Sequence, residues 1–382
     1  MKLLYDYRIF SLQSYGGISR YFYELVKEIL ELKKQEIEIL LFEGLYVSKF
    51  DFKEIKSELK NYYGFRHPYI YKTKHLFIFL NEILFKIYLL RNKKSFKYSE
   101  VIYHPTYYSP KIRKIAENGK IIITVFDMIA EKFPEYFPNS RKVLHDKKES
   151  IESADSIICI SESTKNDLLD FYNIDEKKIH VVYLASGLSN NYSQRAEVLK
   201  QNKIHDDKRD FILYVGERYE YKNFIFLLKT YFEEKLYIDF DLVCFGGKTF
   251  NNYEQKYIDN NKLNKNVKFI SGNDSDLINL YKNARCLVYP SKYEGFGLPI
   301  IEAMSLCCPV IASNSSSIPE VAGNAALLFN PLDRNDLLNN LSSILYDNRL
   351  RQKLIIEGMQ QSKKFSWKKT AIETLDIYKN LF

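Results

Sequence analysis

The sequence predicts an α/β fold of two domains, each built on a mostly parallel sheet with helices packed on its faces. Three observations carry this expectation. The chain has 382 residues, 46% of them hydrophobic, more than a single core usually organises, so two domains of similar size are expected. Short β-branched runs alternate with longer segments of helical spacing from end to end. A polar stretch without periodicity, 185–209, splits that alternation into halves and reads as an interdomain linker.

In the first half, strands are expected at 2–7, 37–42, 101–104, 121–127, 156–161 and 179–183, with helical spacing over 19–33. The second half repeats the pattern with strands at 211–216, 241–246, 267–272, 286–290, 309–313 and 326–329. Helices are expected at 274–283, 298–306 and 333–346, and an amphipathic helix closes the chain from 366. The domains are accordingly read as 1–190 and 205–365.

The bulk properties exclude several classes. Fifty-six Lys and Arg against 48 Asp and Glu leave a charge of +8, which favours phosphates, nucleic acid or an anionic membrane without choosing among them. No nucleic-acid-binding motif is present in the sequence, so no such partner is expected. The five cysteines (Cys159, Cys244, Cys286, Cys307 and Cys308) are scattered and form no spaced metal-ligand set. They indicate a reducing cytoplasm rather than a disulfide framework. The N-terminus, Met1-Lys2-Leu3-Leu4-Tyr5-Asp6, meets charge too early for a signal peptide and reads as a buried strand. The longest apolar stretch, 76–90, is interrupted by Asn81, Glu82 and Lys86 and is too short to span a bilayer.

In open parallel sheets, ligands bind beyond the carboxyl ends of the strands, so the residues after each strand are the ones to read for chemistry. Tyr15-Gly16-Gly17-Ile18-Ser19-Arg20 precedes a helix. Paired glycines let a backbone approach closely, and a helix N-terminus offers N–H groups to phosphate; the alternative is a plain tight turn. Gly216-Glu217-Arg218-Tyr219-Glu220-Tyr221-Lys222 follows a strand. On the first turn of a helix, Arg218 and Lys222 would share a face and neutralise a diphosphate, Arg218 as a fork and Lys222 as a point charge. The alternative is a solvated pairing with Glu217 or Glu220.

A third segment, Glu294-Gly295-Phe296-Gly297-Leu298-Pro299-Ile300-Ile301-Glu302, puts one carboxylate on a loop and another just over a turn inside the helix that Pro299 helps to start. That spacing suits a ligand with a sugar at the loop and a ribose at the helix, because carboxylates accept pairs of hydrogen bonds from vicinal hydroxyls. A turn acid and an exposed helix residue are the alternative. The fourth place pairs two strand ends: His104, before Pro105, and Asp127, after Phe126, are candidates for the acceptor side of a cleft. A histidine beside a proline also suits a structural role.

These residues resemble a known family. The segment 269–331, above all Tyr289-Pro290-Ser291 through Glu302, Pro309-Val310-Ile311-Ala312-Ser313 and Pro319-Glu320-Val321-Ala322-Gly323, closely resembles family 4 retaining glycosyltransferases of the GT-B fold, two Rossmann-like domains facing each other across a cleft. Residues 216–223, Gly16-Gly17-Ile18 and Ser161-Glu162-Ser163-Thr164-Lys165 extend the likeness over nearly the whole chain. The resemblance implies that Arg218 and Lys222 bind the donor diphosphate, with Gly17 giving it a backbone amide in the turn it forms with Gly16. Gly216 would open the donor loop. Glu302 would hold the ribose, and Glu294 with Gly295 and the amides of Phe296, Gly297 and Leu298 would hold the transferred sugar. Arg218, Lys222, Glu294 and Asp127 are thus the expected catalytic set. The resemblance also implies no metal or other cofactor, and a closing helix at 366–382 that packs back onto the first domain.

Two positions depart from the family pattern. Phe126-Asp127 stands where relatives commonly have His-Asp, which removes a usual contact to the donor sugar, and Cys307 stands where many carry Gly. The implied reaction is retaining transfer of a hexose from a nucleotide-diphosphate sugar to a glycan or lipid-linked glycan acceptor in bacterial surface polysaccharide synthesis. The likeness of 127–137 to mannosyl- and rhamnosyltransferases favours GDP-mannose. Retention is expected by front-face substitution, with the departing phosphate oxygen taking the acceptor's proton. Two other readings stay open: a nucleotide-sugar epimerase of the same fold, and a basic protein of the membrane surface. In the latter, 72–97 mixes Phe, Leu and Ile with Lys and Arg as an interfacial helix does, the alternative being a buried helix with a solvated basic face. The expected location is the cytoplasm, with peripheral contact to the anionic inner face of the membrane.

Overall fold

A computed structural model describes residues 1–32, 37–50, 52, 53, 55–66, 74–97, 100–109, 119–188 and 209–382. Most of the expected linker, 189–208, lies outside the described residues. The chain divides into two compact units, Met1–Leu184 with Trp367–Phe382, and Ala185–Ser366.

Among the described residues the first unit holds seven strands: β1 (Lys2–Tyr5), β2 (Glu38–Tyr46), β3 (Lys60–Arg66), β4 (Val101–Tyr103), β5 (Lys120–Val125), β6 (Ser156–Cys159) and β7 (Ile179–Val181). They pair in parallel in the order β3-β2-β1-β4-β5-β6-β7. The helices are α1 (Arg8–Leu12), α2 (Gly17–Glu31), α3 (Lys74–Lys97), α4 (Ile129–Lys132), α5 (Arg141–Ser153) and α6 (Glu162–Phe171). Burial on both faces explains why the inner strands are unbroken Ile, Leu and Val runs rather than alternating ones: Ile121, Ile122 and Ile123 are all buried. β3 has no counterpart among the expected strands. Its sequence, KNYYGFR, is polar and unpatterned, and it lies at the sheet edge with register shifts against β2.

The second unit has β8 (Phe211–Val215), β9 (Asp241–Phe245), β10 (Val267–Ile270), β11 (Cys286–Tyr289), β12 (Val310–Ser313) and β13 (Leu327–Phe329), parallel in the order β10-β9-β8-β11-β12-β13. Its helices are α7 (Phe224–Glu233), α8 (Asn252–Asn260), α9 (Asp274–Asn283), α10 (Leu298–Ser305), α11 (Ile318–Ala322), α12 (Arg334–Tyr346) and α13 (Asn348–Ser362). Side-chain caps fix several helix starts: Asn251 and Asn273 each close a capping box, and Asp333 and Asp347 accept first-turn N–H groups. Both sheets reverse strand order beside their first strand, between β1 and β4 and between β8 and β11. Such a reversal opens a crevice at the strands' carboxyl ends.

The closing helix α14 (Trp367–Lys379) packs on α2 within the first unit. Thr370 Oγ1 donates to the Tyr183 carbonyl at 2.7 Å, and the hydroxyls of Tyr5 and Tyr378 lie 3.0 Å apart. No helix among the described residues is long and apolar enough to cross a membrane.

Candidate functional site

The crevice of the second unit collects charged side chains from the loops after β8 and β11. Gly216 leaves β8 with φ of 130°, a backbone angle that L side chains rarely adopt. The expected helix over Arg218 and Lys222 is not formed there. Arg218 lies in the loop, Lys222 ends a short 3-10 turn (Glu220–Lys222), and α7 starts only after Asn223, whose φ of 58° breaks the helical path. The two cations therefore do not share a helix face, and their partners are neither Glu217 nor Glu220.

Arg218 leans toward β9 and β10. Its Nε donates to Glu254 Oε2 at 3.2 Å, and its other nitrogens reach the carbonyls of Gly246 and Lys248. The guanidinium stands 5.0 Å from the Phe250 ring centre and 5.3 Å from that of Phe269. Side-chain exposure of 5% for Arg218 and 2% for Glu254 makes this a buried ion pair. Glu254 also accepts the Asn251 N–H at 2.8 Å, so one carboxylate both caps α8 and aims the arginine. The spacing Asn251-x-x-Glu254 was a readable capping signal, whereas its link to Arg218 spans 36 residues.

Lys222 leans the other way, toward β11. Its Nζ donates to Glu294 Oε1 at 2.6 Å and Oε2 at 2.7 Å, and it faces the ring of Tyr289 at 5.8 Å. The loop bearing Glu294 is pinned from the segment after β12. The Glu294 N–H donates to Ser316 Oγ at 2.8 Å, and Ser317 Oγ bonds the carbonyls of Glu294 and Phe296, each at 2.9 Å. Neither serine was singled out from the sequence.

Gly297, with φ of 108°, lets the chain turn into α10. A Cβ there would press on Ile300 Cδ1 at 3.2 Å. Gly295 lies in the same loop, and Leu298 and Pro299 begin the helix. Phe296 is buried edge-on against Phe365 at 5.8 Å. Glu302 is buried one turn into α10 and accepts from Tyr281 Oη at 3.1 Å. Burial first, and then the nearby carboxylates, hold the Tyr281 and Tyr289 hydroxyls well above the ordinary tyrosine range, so both stay protonated donors.

In the first unit, Gly16 precedes α2 with extended backbone, φ 178°, so the position does not need glycine for its angle. A Cβ there would meet Gln13 Oε1 at 2.4 Å, the far end of a flexible side chain that can swing aside. That amide oxygen also accepts the Ser19 N–H in the first turn of α2, at 3.4 Å. Gly17 is the first residue of the helix.

His104 is a correction to the expected acceptor side. It is fully buried, with Nδ1 2.6 Å from Tyr378 Oη and Nε2 2.9 Å from Thr124 Oγ1, and the rings of Phe22 and Tyr5 pack against it. Burial lowers its pKa to about 3, so the imidazole is neutral and works as a core hydrogen-bonding group. Asp127 stays partly exposed, its Oδ1 accepting the Ile129 N–H at 3.1 Å. Buried Lys147 fixes its backbone by donating to the Asp127 carbonyl at 2.6 Å while pairing with Glu131 at 2.8 Å. Phe126 packs edge-on against Tyr21 at 5.3 Å. At the crevice itself, Asp6 is fully buried and accepts from Arg8, Tyr103 and Thr106. Sequence reading passed over this cluster.

The comparisons decide the family. The profile described as Glycosyltransferase Family 4 matches residues 15–185, and that described as Glycosyl transferases group 1 matches 195–361. O-antigen chain mannosyltransferase B of Escherichia coli is 31% identical, the match covering 96% of each chain. The chain belongs to this glycosyltransferase family. Solved structures share the fold: sucrose-phosphate synthase from Thermosynechococcus elongatus, at 20% identity, covers 100% of this chain and 98% of its own with a TM-score of 0.76. Anabaena HepE in complex with UDP and glucose, at 14% identity, covers 98% of both with a TM-score of 0.66. The fold of this glycosyltransferase is thus GT-B, with two Rossmann-like domains. Its Cys307 has φ of 62°, in the left-handed region, which gives a physical reason for the glycine expected of relatives there.

Proposed function

We propose that this glycosyltransferase is a retaining hexosyltransferase that moves mannose from GDP-mannose to a glycan or lipid-linked glycan acceptor during assembly of a bacterial surface polysaccharide, in the cytoplasm at the inner face of the membrane. The observation that carries the reading is the Lys222–Glu294 pair, a cation and a carboxylate held 2.6 Å apart at the switch point of the second sheet. A sugar diphosphate matches that pair: the carboxylate accepts from sugar hydroxyls and the ammonium meets phosphate. The name of the E. coli relative supports mannose as the sugar and O-antigen chains as the product class.

In this reading, Lys222 and Arg218 stabilise charge growing on the departing diphosphate, so no metal ion or other cofactor is required. Glu294, with the N–H groups of Phe296, Gly297 and Leu298, holds the sugar, and Glu302 holds the ribose. The bond from the anomeric carbon to the diphosphate breaks as the acceptor oxygen bonds on the same face, and the acceptor's proton passes to the departing phosphate oxygen. The purified chain would be incubated with GDP-mannose, UDP-glucose and dTDP-rhamnose, following nucleotide release and the anomeric configuration of the product by NMR. GDP release with an α-linked product is expected. An inverted product, or an epimerised nucleotide sugar formed without acceptor, would overturn the reading.

A further inference from the structure

Helix α3 buries one face and leaves a second apolar face in solvent. Asn81, Phe85 and Tyr88 point inward, where Phe85 and Tyr88 pack around Phe42. On the outside, Leu76, Phe79, Ile83, Ile87 and Leu90 are 56%, 58%, 42%, 40% and 68% exposed. At 3.6 residues per turn these five fall within an arc of about 80° and run for about 21 Å along the helix. Five of the 18 exposed large hydrophobics among the described residues thus lie on one stripe rather than singly, the pattern that marks an interaction surface. Edge strand β3 also leaves Tyr63 and Phe65 exposed, with Tyr63 stacked on Phe42 at 5.1 Å.

Charge selects the occupant. The helix carries Lys74, Lys86, Arg91, Lys93, Lys94 and Lys97 against the single carboxylate Glu82. Exposed Lys86 and Arg91 border the stripe on opposite sides, about 60° and 80° from its centre on an ideal helix. Long basic side chains flanking an apolar stripe can extend to anionic headgroups while the stripe enters the acyl boundary. A second copy of the chain meeting this face through its own α3 would bring like charges together. We propose that α3 lies in the plane of an anionic membrane as a monotopic docking face, with Phe79, Ile83 and Leu90 inserted and Lys86 and Arg91 on lipid phosphates. This gives the acceptor side of the proposed reaction a location and in that respect rests on it.

The test is co-sedimentation of the full chain with phosphatidylcholine vesicles containing about 30% phosphatidylglycerol, compared with pure phosphatidylcholine. Wild type should pellet with the anionic vesicles, and more weakly as salt rises. Phe79→Ser with Leu90→Ser should bind roughly tenfold more weakly with an unchanged melting temperature, because those side chains are already in water. Lys86→Glu with Arg91→Glu should remove the preference for anionic lipid. Undiminished vesicle binding by the serine variant would overturn the proposal, as would absence of binding by a wild type that sediments as a dimer through this face. GDP-mannose turnover with water as acceptor, measured without vesicles, separates the readings: its loss in wild type counts against the proposed reaction and leaves the docking result standing.

Discussion

The two sheets reverse strand order at the same place, yet the two crevices hold different chemistry. After β1 and β4, the charged and polar groups are closed on one another: Asp6 accepts from Arg8, Tyr103 and Thr106, and both His104 nitrogens are engaged in the core. After β8 and β11, Lys222 remains partly exposed above buried Glu294, and Arg218 is steered by Glu254 from a neighbouring helix. Topology supplies a crevice, and the strand-end residues determine whether it is a site or a seal.

The comparison breaks first at Lys222. Lys222→Ala should lower turnover about a thousandfold, the scale of losing a preorganised charge-stabilising donor. It should also destabilise the second unit by about 3 kcal/mol, because Glu294 is left without its cation. Lys222→Met combined with Glu294→Gln should restore the melting temperature and leave nucleotide release absent; recovery of turnover in that double variant would show that the crevice owes nothing to this charge pair. A smaller loss is expected for Glu254→Gln, which keeps a hydrogen-bond acceptor near Arg218 and removes its charge. Nucleotide affinity by calorimetry should fall roughly tenfold, the worth of one charged hydrogen bond, and unchanged affinity would mean that Arg218 needs no steering.

The first crevice is sharpened by pH. His104 stays neutral in the folded chain down to about 3, whereas the unfolded imidazole takes a proton below about 6.5. Its contribution to stability is therefore complete above the unfolded pKa and drains away as pH falls toward the folded one. Denaturant melts should show His104→Gln losing about 2 kcal/mol less than wild type between pH 6.5 and 5, and parallel losses in the two proteins would remove His104 from the account. The smallest effect is at Cys307. Replacement by Gly relieves a left-handed backbone and should stabilise the second unit by about 1 kcal/mol or less, read as a rise in melting temperature.

Much of this was legible in the sequence. All six expected strands of the second unit form, four of them (β8, β9, β11 and β12) fully buried, and α9 matches its expected bounds, 274–283. Glu294 and Glu302 do bracket the start of α10 as their spacing implied. Three things were not legible. β3 is an edge strand whose sequence, KNYYGFR, carries no alternating apolar pattern. The helix read over Arg218 and Lys222 fails at Asn223, where one left-handed residue outweighs a favourable charge spacing. His104 was read from its place at a strand end, whereas its role follows from Tyr378, 274 residues later.

That last contact bears on synthesis. The first sheet is translated early, but Tyr5 and His104 reach their hydrogen-bond partner, Tyr378, only when α14 emerges. The second unit, continuous in sequence, has all its strands before that moment. On the ribosome the later-made unit can therefore close first, while the earlier-made one waits with an unfinished seam. A stop codon just before Trp367 would leave that seam open for good.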